Sequence, residues 1–393
     1  MLGRMKYINK NFKIIILASI FLMFASFALP LTKENYVKGK VLEVQTESPG
    51  DLGVEYKQAL QNITIKITSG KNKGKVLSIE HASSGSMMGR DMVLKKGDRV
   101  VLYADEEPSL AESSNGEPIF HVADYVRDVP IYLLAFLYMA LLVILGGLKG
   151  LKSLFSLILT ISIIFFVLFP LTFLGYSPLW ISVLISAVVS FIVFIIIAGR
   201  NTKGLSATMG TIFGVTMAGI IAYVVGKMAY LTGLSSEESK ILLYSMNLKI
   251  DYEGLLFGSI LIGALGAVMD TSMSIASAID EVRKVHPEAN FKNLFNAGMN
   301  VGRDTMGTMS NTLILAYTGS ALPLLLLLVM NNISLTKILN LEMIAEEVVR
   351  AFAGSIGLVI CIPITAFISA AMYTRKPRIL SDSVPQEWMK RGL

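Results

Sequence analysis

One cysteine, Cys361, stands alone among 393 residues, which excludes an internal disulfide, a cysteine metal site and a Cys-x-x-Cys redox pair. It lies inside an apolar run, so its plain reading is a small core residue. Charge is scarce as well: Asp, Glu, Lys and Arg make up 16% of the chain, against about 25% in an ordinary soluble domain. Histidine occurs three times, and His81 and His121 lack a third ligand at recognisable spacing, so no metal site is expected. The chain has no Gly-rich phosphate loop of the Walker kind, no nucleophile elbow, no His-x-x-x-His pair and no haem-attachment motif. ATP-driven transport and soluble-type catalysis are left without machinery, so neither a cofactor nor an enzyme activity is expected.

What the chain has instead is apolar surface. Hydrophobic residues make up 53% and mean hydropathy is +0.61, the composition of an integral membrane protein. The net charge of +6 could suggest nucleic acid, but its distribution follows the loops of a membrane protein. No nucleic-acid partner is expected.

Residues 1–30 carry Arg4, Lys6, Lys10 and Lys13 ahead of the apolar run 14–29, the layout of a signal anchor or signal peptide. Pro30 follows closely, and an uncleaved first span is the preferred reading. Residues 31–128 change period. Short alternating runs near 37–44, 63–68, 76–80, 99–103 and 119–125 read as five strands, with Lys96-Gly-Asp98 as the turn before the fourth. Five short strands in this length suit a small closed all-β barrel of the OB-like kind, because closure removes exposed sheet edges. Stacking aromatics for a nucleic acid or oligosaccharide are sparse, so a structural or partner-docking module is the better reading.

Apolar runs return at 130–148, 154–174, 179–198, 205–226, 255–279, 307–330 and 352–373, which makes seven spans, or about eight transmembrane helices with the first. Residues 129–378 form this membrane domain and 379–393 a tail. Lys149, Lys152, Arg200, Lys203, Arg283, Lys284, Lys292, Arg303, Arg375, Lys376 and Arg378 fall in alternate loops. By the positive-inside rule both termini are cytoplasmic and the barrel is extracytoplasmic, between helices 1 and 2. Small residues at four-residue spacing, as in Gly210, Gly214 and Ala218, suit close packing of membrane helices. Acidic runs in 235–252 and 331–350 read as short external helices.

Two spans carry polar stripes. Asp270, Ser274, Ser277 and Glu281 follow one another at offsets of four, three and four, and Asn300, Asp304, Thr308 and Asn311 share a face further along. An Asp at the centre of a membrane helix costs about 2.5–3.5 kcal/mol on insertion scales, so it is expected to have a partner or a water-filled cavity. The two stripes are expected to face each other. Residues 291–299 read as a short amphipathic helix at the interface. Gly298, Gly302 and Gly307, with Arg303 among them, bracket a joint about which that segment could move.

The segments Gly266-Ala-Val-Met-Asp270 with Ser274-Ile-Ala-Ser277, and Gly302-Arg-Asp-Thr-Met-Gly-Thr-Met-Ser-Asn-Thr-Leu-Ile-Leu-Ala-Tyr317, resemble the YibE/F family of bacterial multispanning membrane proteins. The resemblance covers most of the chain and implies its fold and its place in the bacterial cytoplasmic membrane; it implies no particular reaction.

Three functions compete. The first is a gradient-driven transporter or conduit for a cation or small solute, with Asp270, Ser274, Ser277, Glu281, Asp304, Thr308 and Asn311 along its path. The second is a non-catalytic scaffold whose barrel recruits an envelope partner, with homo-oligomers open to either. The third is an intramembrane aspartyl protease, which needs two carboxylates sharing a proton. Cysteine labelling or reporter fusions are expected to place Gly70 and Asn201 on opposite sides of the membrane. Finding both on one side would contradict this topology.

Overall fold

A computed structural model describes residues 35–47, 59–83, 92–105, 118–244 and 250–375. The expected first span and the tail 379–393 lie outside the described residues. The chain divides into two compact units, Met1–Leu145 and Gly146–Leu393.

In the first unit, β1 (Tyr36–Glu47), β2 (Ala59–Ile67), β3 (Val76–Ser83), β4 (Arg99–Asp105) and β5 (Ile119–Tyr125) form one antiparallel sheet in the order β3-β2-β1-β4-β5. Period-two alternation sends Ile63, Ile65, Val41, Val100 and Leu102 into one core. β1 serves two neighbours: residues 36–40 pair with β4 and residues 39–47 with β2, with a register shift between Val41 and Glu43. Gly39 sits where the two pairings overlap, and a Cβ there would fall 2.5 Å from Ile65 Cγ2. The shift lets the sheet curl until β3 and β5 approach each other. Gln61, only 2% exposed, closes one side of the core. Its Nε2 donates to the Leu94 carbonyl at 3.3 Å and its Oε1 accepts from the Leu94 amide at 3.0 Å, satisfying a buried polar side chain on both ends. Lys38 donates to Asp128 at the start of the first helix, and that hydrogen bond holds its ammonium above the usual lysine range.

The helices are α1 (Asp128–Ile163), α2 (Phe169–Phe173), α3 (Pro178–Ala198), α4 (Thr202–Met228), α5 (Glu237–Tyr244), α6 (Tyr252–Val285), α7 (Phe291–Ser320), α8 (Leu322–Met330), α9 (Leu335–Leu339) and α10 (Glu342–Arg375). Among the described residues five are long and apolar enough to cross a membrane, or six if α7 and α8 form one span. The runs 130–148 and 154–174 follow one another within the 46 residues Asp128–Phe173 as two helices meeting at a kink, because Gly147, at φ +53° and ψ −134°, is not helical, and the count of five takes them together. The expected span 307–330 is bent by 60° where α7 meets α8, beside Pro323 in the first turn of α8.

α4, α6 and α10 form the middle of the second unit, with α3 and α7 packed outside them. Small residues decide this arrangement. A Cβ on Gly214 would lie 2.5 Å from Cys361 Cβ, and one on Gly357 would lie 2.7 Å from the Gly214 carbonyl oxygen, so α4 and α10 touch backbone to backbone. Buried hydroxyls join the same helices: Thr365 Oγ1 donates to Ser272 Oγ at 3.3 Å, and Ser206 Oγ to Ser369 Oγ at 3.3 Å. Beyond one end of α4, Glu342 accepts from Thr232 N at 2.6 Å and Glu346 from Ser235 Oγ at 2.6 Å, which ties the α4–α5 loop to α10. Ser236 caps α5 as expected, but residues 342–350 are the opening turns of α10 rather than a separate external helix.

Gly357→Ala is expected to cost about 1–3 kcal/mol through overpacking and to lower the thermal midpoint in detergent. Gly319→Ala, where nothing lies within 4 Å of the added carbon, is expected to leave the midpoint unchanged.

Candidate functional site

The two polar stripes lie on adjacent antiparallel helices. α6 begins at its N-cap Asp251, whose Oδ1 accepts from Gly254 N at 2.7 Å, and runs without a break through Asp270. Its packed face is Val268, Ser272, Ile275 and Ile279, all fully buried. Val268 touches Gly214, near the middle of the 27-residue α4, and Asp270 lies two residues further, about 3 Å along the axis. Asp270 is therefore level with the middle of α4, a helix long and apolar enough to cross a membrane. Along α6 the neighbours on α7 are Tyr317 beside Gly263, Gly302 beside Ile275 and Gly298 beside Ile279. Asp270 falls between these levels, at the height of the α7 stretch that holds Asp304, Thr308 and Asn311.

Depth agrees but direction does not. Asp270, Ser274 and Glu281 are exposed and Ser277 is half-buried, so the α6 stripe lies on the outside of the unit. On α7 the packed residues are Leu294, Gly298, Gly302 and Leu313. Asp304 stands two residues past Gly302, about 200° round the helix, and it is exposed together with Arg303, Gly307, Thr308 and Asn311. The expected facing pair is thereby corrected: α7 turns its polar stripe away from α6 because its glycine face is the one that fits against Ile275, Ile279 and Ile362. Asp270, Arg303, Asp304 and Asn311 make no side-chain hydrogen bond or ion pair among the described residues. Thr308 spends its hydroxyl on its own helix, donating to the Thr305 carbonyl at 3.0 Å.

The glycines also read differently in three dimensions. α7 is continuous from Phe291, so residues 291–299 are its first turns and not a separate interfacial helix. Leu294 is fully buried and Phe291 packs edge-on against Phe367 of α10, with ring centroids 5.5 Å apart. A Cβ on Gly298 would lie 2.6 Å from Ile279 Cδ1 and one on Gly302 would lie 2.2 Å from Ile362 Cγ2, so both mark close packing rather than a joint. Gly307 has nothing within 4 Å of that position.

A model of the YibE/F-like protein family matches residues 134–375, and a model of the YibE/F family N-terminal domain matches residues 34–115. The chain belongs to the YibE/F family. The first match spans both striped helices and the second spans β1 to β4. No curated protein and no solved structure matches the chain.

This YibE/F protein also holds charged clusters whose partners its sequence did not single out, Asp280 and Tyr373 above all. Asp280 accepts from Tyr373 Oη at 2.5 Å and pairs with Lys284 at 2.9 Å, while Lys284 also reaches Glu281 at 2.7 Å. Arg283 instead donates to the Ala289 carbonyl at 3.0 Å, closing the turn into α7. Arg303 takes no part in that group. On α10, Glu347 pairs with Arg350, and Glu346 is 7% exposed with its Oε1 lacking a partner among the described residues. The Glu-x-x-Arg spacing was the available signal, since residues three apart are neighbours on a helix.

Exposure gives a direct check. A cysteine at Ser274 is expected to react with a membrane-permeant thiol reagent, whereas one at Ser272 and the native Cys361, both fully buried positions, are expected to stay silent. Equal labelling at 272 and 274 would contradict the orientation of α6.

Proposed function

We propose that this YibE/F protein is a gradient-driven transporter or conduit for a cation or small solute, acting in the bacterial cytoplasmic membrane. The observation that carries the reading is Asp270, a carboxylate at mid-membrane depth without a partner among the described residues and with open space beside it at Gly266. A carboxylate so placed is costly unless water or a passing cation meets it, and such residues mark ion and proton paths. Ser274, Ser277 and Glu281 extend the same stripe towards the cytoplasmic end, where Asp280, Glu281 and Lys284 form a solvated cluster worth little to stability. Asp304, Thr308 and Asn311 give α7 a second polar track at the same depth.

In this reading the protein has eight spans with both termini in the cytoplasm. The curled sheet is an OB-like barrel outside the membrane, available to an envelope partner. The scaffold reading draws on a different observation, the apolar and hydroxyl-bonded packing between α4, α6 and α10. An aspartyl protease would need its two carboxylates to share a proton, and α7 holds Asp304 on the side away from α6.

Proteoliposome flux measured with cations of different size and with a proton gradient tests the reading. Asp270→Asn is expected to insert and fold normally and to lose most of the flux. Wild-type flux in that variant, or no flux of any solute in the parent chain, would leave the scaffold.

A further inference from the structure

Helix α7 carries two seams. Leu294, Gly298, Gly302 and Leu313 bury one of them in the chain's own bundle. The other runs through Asn300, Asp304, Gly307 and Asn311 and continues at Ile314 and Thr318, in alternating steps of four and three. A four and a three together make seven residues in two steps, or 3.5 per step, the repeat at which two helices keep one seam turned towards each other over several turns. Asn300, Asp304, Gly307, Asn311 and Thr318 are all exposed.

This seam is a poor surface for lipid. It sets a carboxylate and amides at the depth of Asp270, and none of Arg303, Asp304 and Asn311 has a side-chain partner among the described residues. Gly307 stands at its centre with nothing within 4 Å of an added Cβ, which leaves room for a second backbone. We propose that the seam packs against the same seam of a second copy of this chain, the two related by an axis along the membrane normal.

The pattern is self-complementary under that symmetry. Parallel copies of α7 bring like residues to one height, so Asn311 meets Asn311, and each carboxamide offers both a donor and an acceptor. In a parallel pair a core residue that is followed by the step of three, as Asp304 is, packs beside the residue that precedes its counterpart on the other helix. Asp304 therefore lies against the Arg303 of the second copy, and the reciprocal contact makes two ion pairs per interface. A lipid tail offers Asp304 and Arg303 nothing comparable. The pairing stands on the geometry of α7 alone and holds whether or not the chain transports.

Cysteine cross-linking of the full chain in native membranes tests this, in a Cys361→Ala background. Oxidation is expected to give an adduct of twice the chain mass from Asn300→Cys, Gly307→Cys and Asn311→Cys, and little from Thr305→Cys and Met309→Cys on the packed side. Equal adducts at all five positions, adducts at none in folded protein, or an adduct to a different protein would overturn the pairing. Charge reversal adds a second readout. R303D is expected to cut the Asn311→Cys adduct several-fold by setting like charges across the axis, and R303D/D304R to restore it. A double variant as poor as the single one would overturn the Arg303–Asp304 contact.

Discussion

A carboxylate at the depth of a bilayer's hydrocarbon must be paired, hydrated or covered, and this chain holds two that its own described residues leave unpaired. On insertion scales each costs about 2.5–3.5 kcal/mol near the centre of a helix. No side-chain partner among the described residues offsets that cost. Asp270 and Asp304 both stand on exposed faces, while the hydrogen-bonding hydroxyls are spent between α4, α6 and α10. The sites of packing and the sites of unmet polarity are thus different surfaces of the same helices.

Glycine geometry keeps them apart. Because Gly298 and Gly302 admit Ile279 and Ile362 at distances no larger residue allows, α7 can dock only by that face, and Asp304 is turned to the far side. Gly214 and Gly357 do the same for α4 and α10, which sets the height of Val268 and hence of Asp270. Backbone contact between small residues, more than burial of large ones, fixes where the carboxylates stand.

Much of this was legible beforehand. Period-two alternation marked all five strands, and offsets of three and four showed that Asp270, Ser274, Ser277 and Glu281 share one face. What such a stripe meets could not be read from it. A helical wheel says which residues lie together, while the neighbour is chosen by glycines that also occur at joints and turns, so Gly298 and Gly302 read as hinges before their contacts with Ile279 and Ile362 were seen. Gly147 is the converse case, since its left-handed φ puts a kink where composition divides Asp128–Phe173 into two runs. Residues 291–299 looked interfacial because Leu294 and Phe295 are apolar beside Lys292 and Asn293, yet the partner of that apolar side is α10 and not a lipid surface.

The central claim is that the exposed polar faces of α6 and α7 do not meet lipid. Spin labels at 270, 304 and 311, compared with one at the exposed apolar Leu184 of α3, measure it through collision with oxygen, which concentrates in the bilayer interior. The account predicts low oxygen access and, at 270, access to a polar relaxation agent. Oxygen access at 304 and 270 equal to that at Leu184 would contradict it.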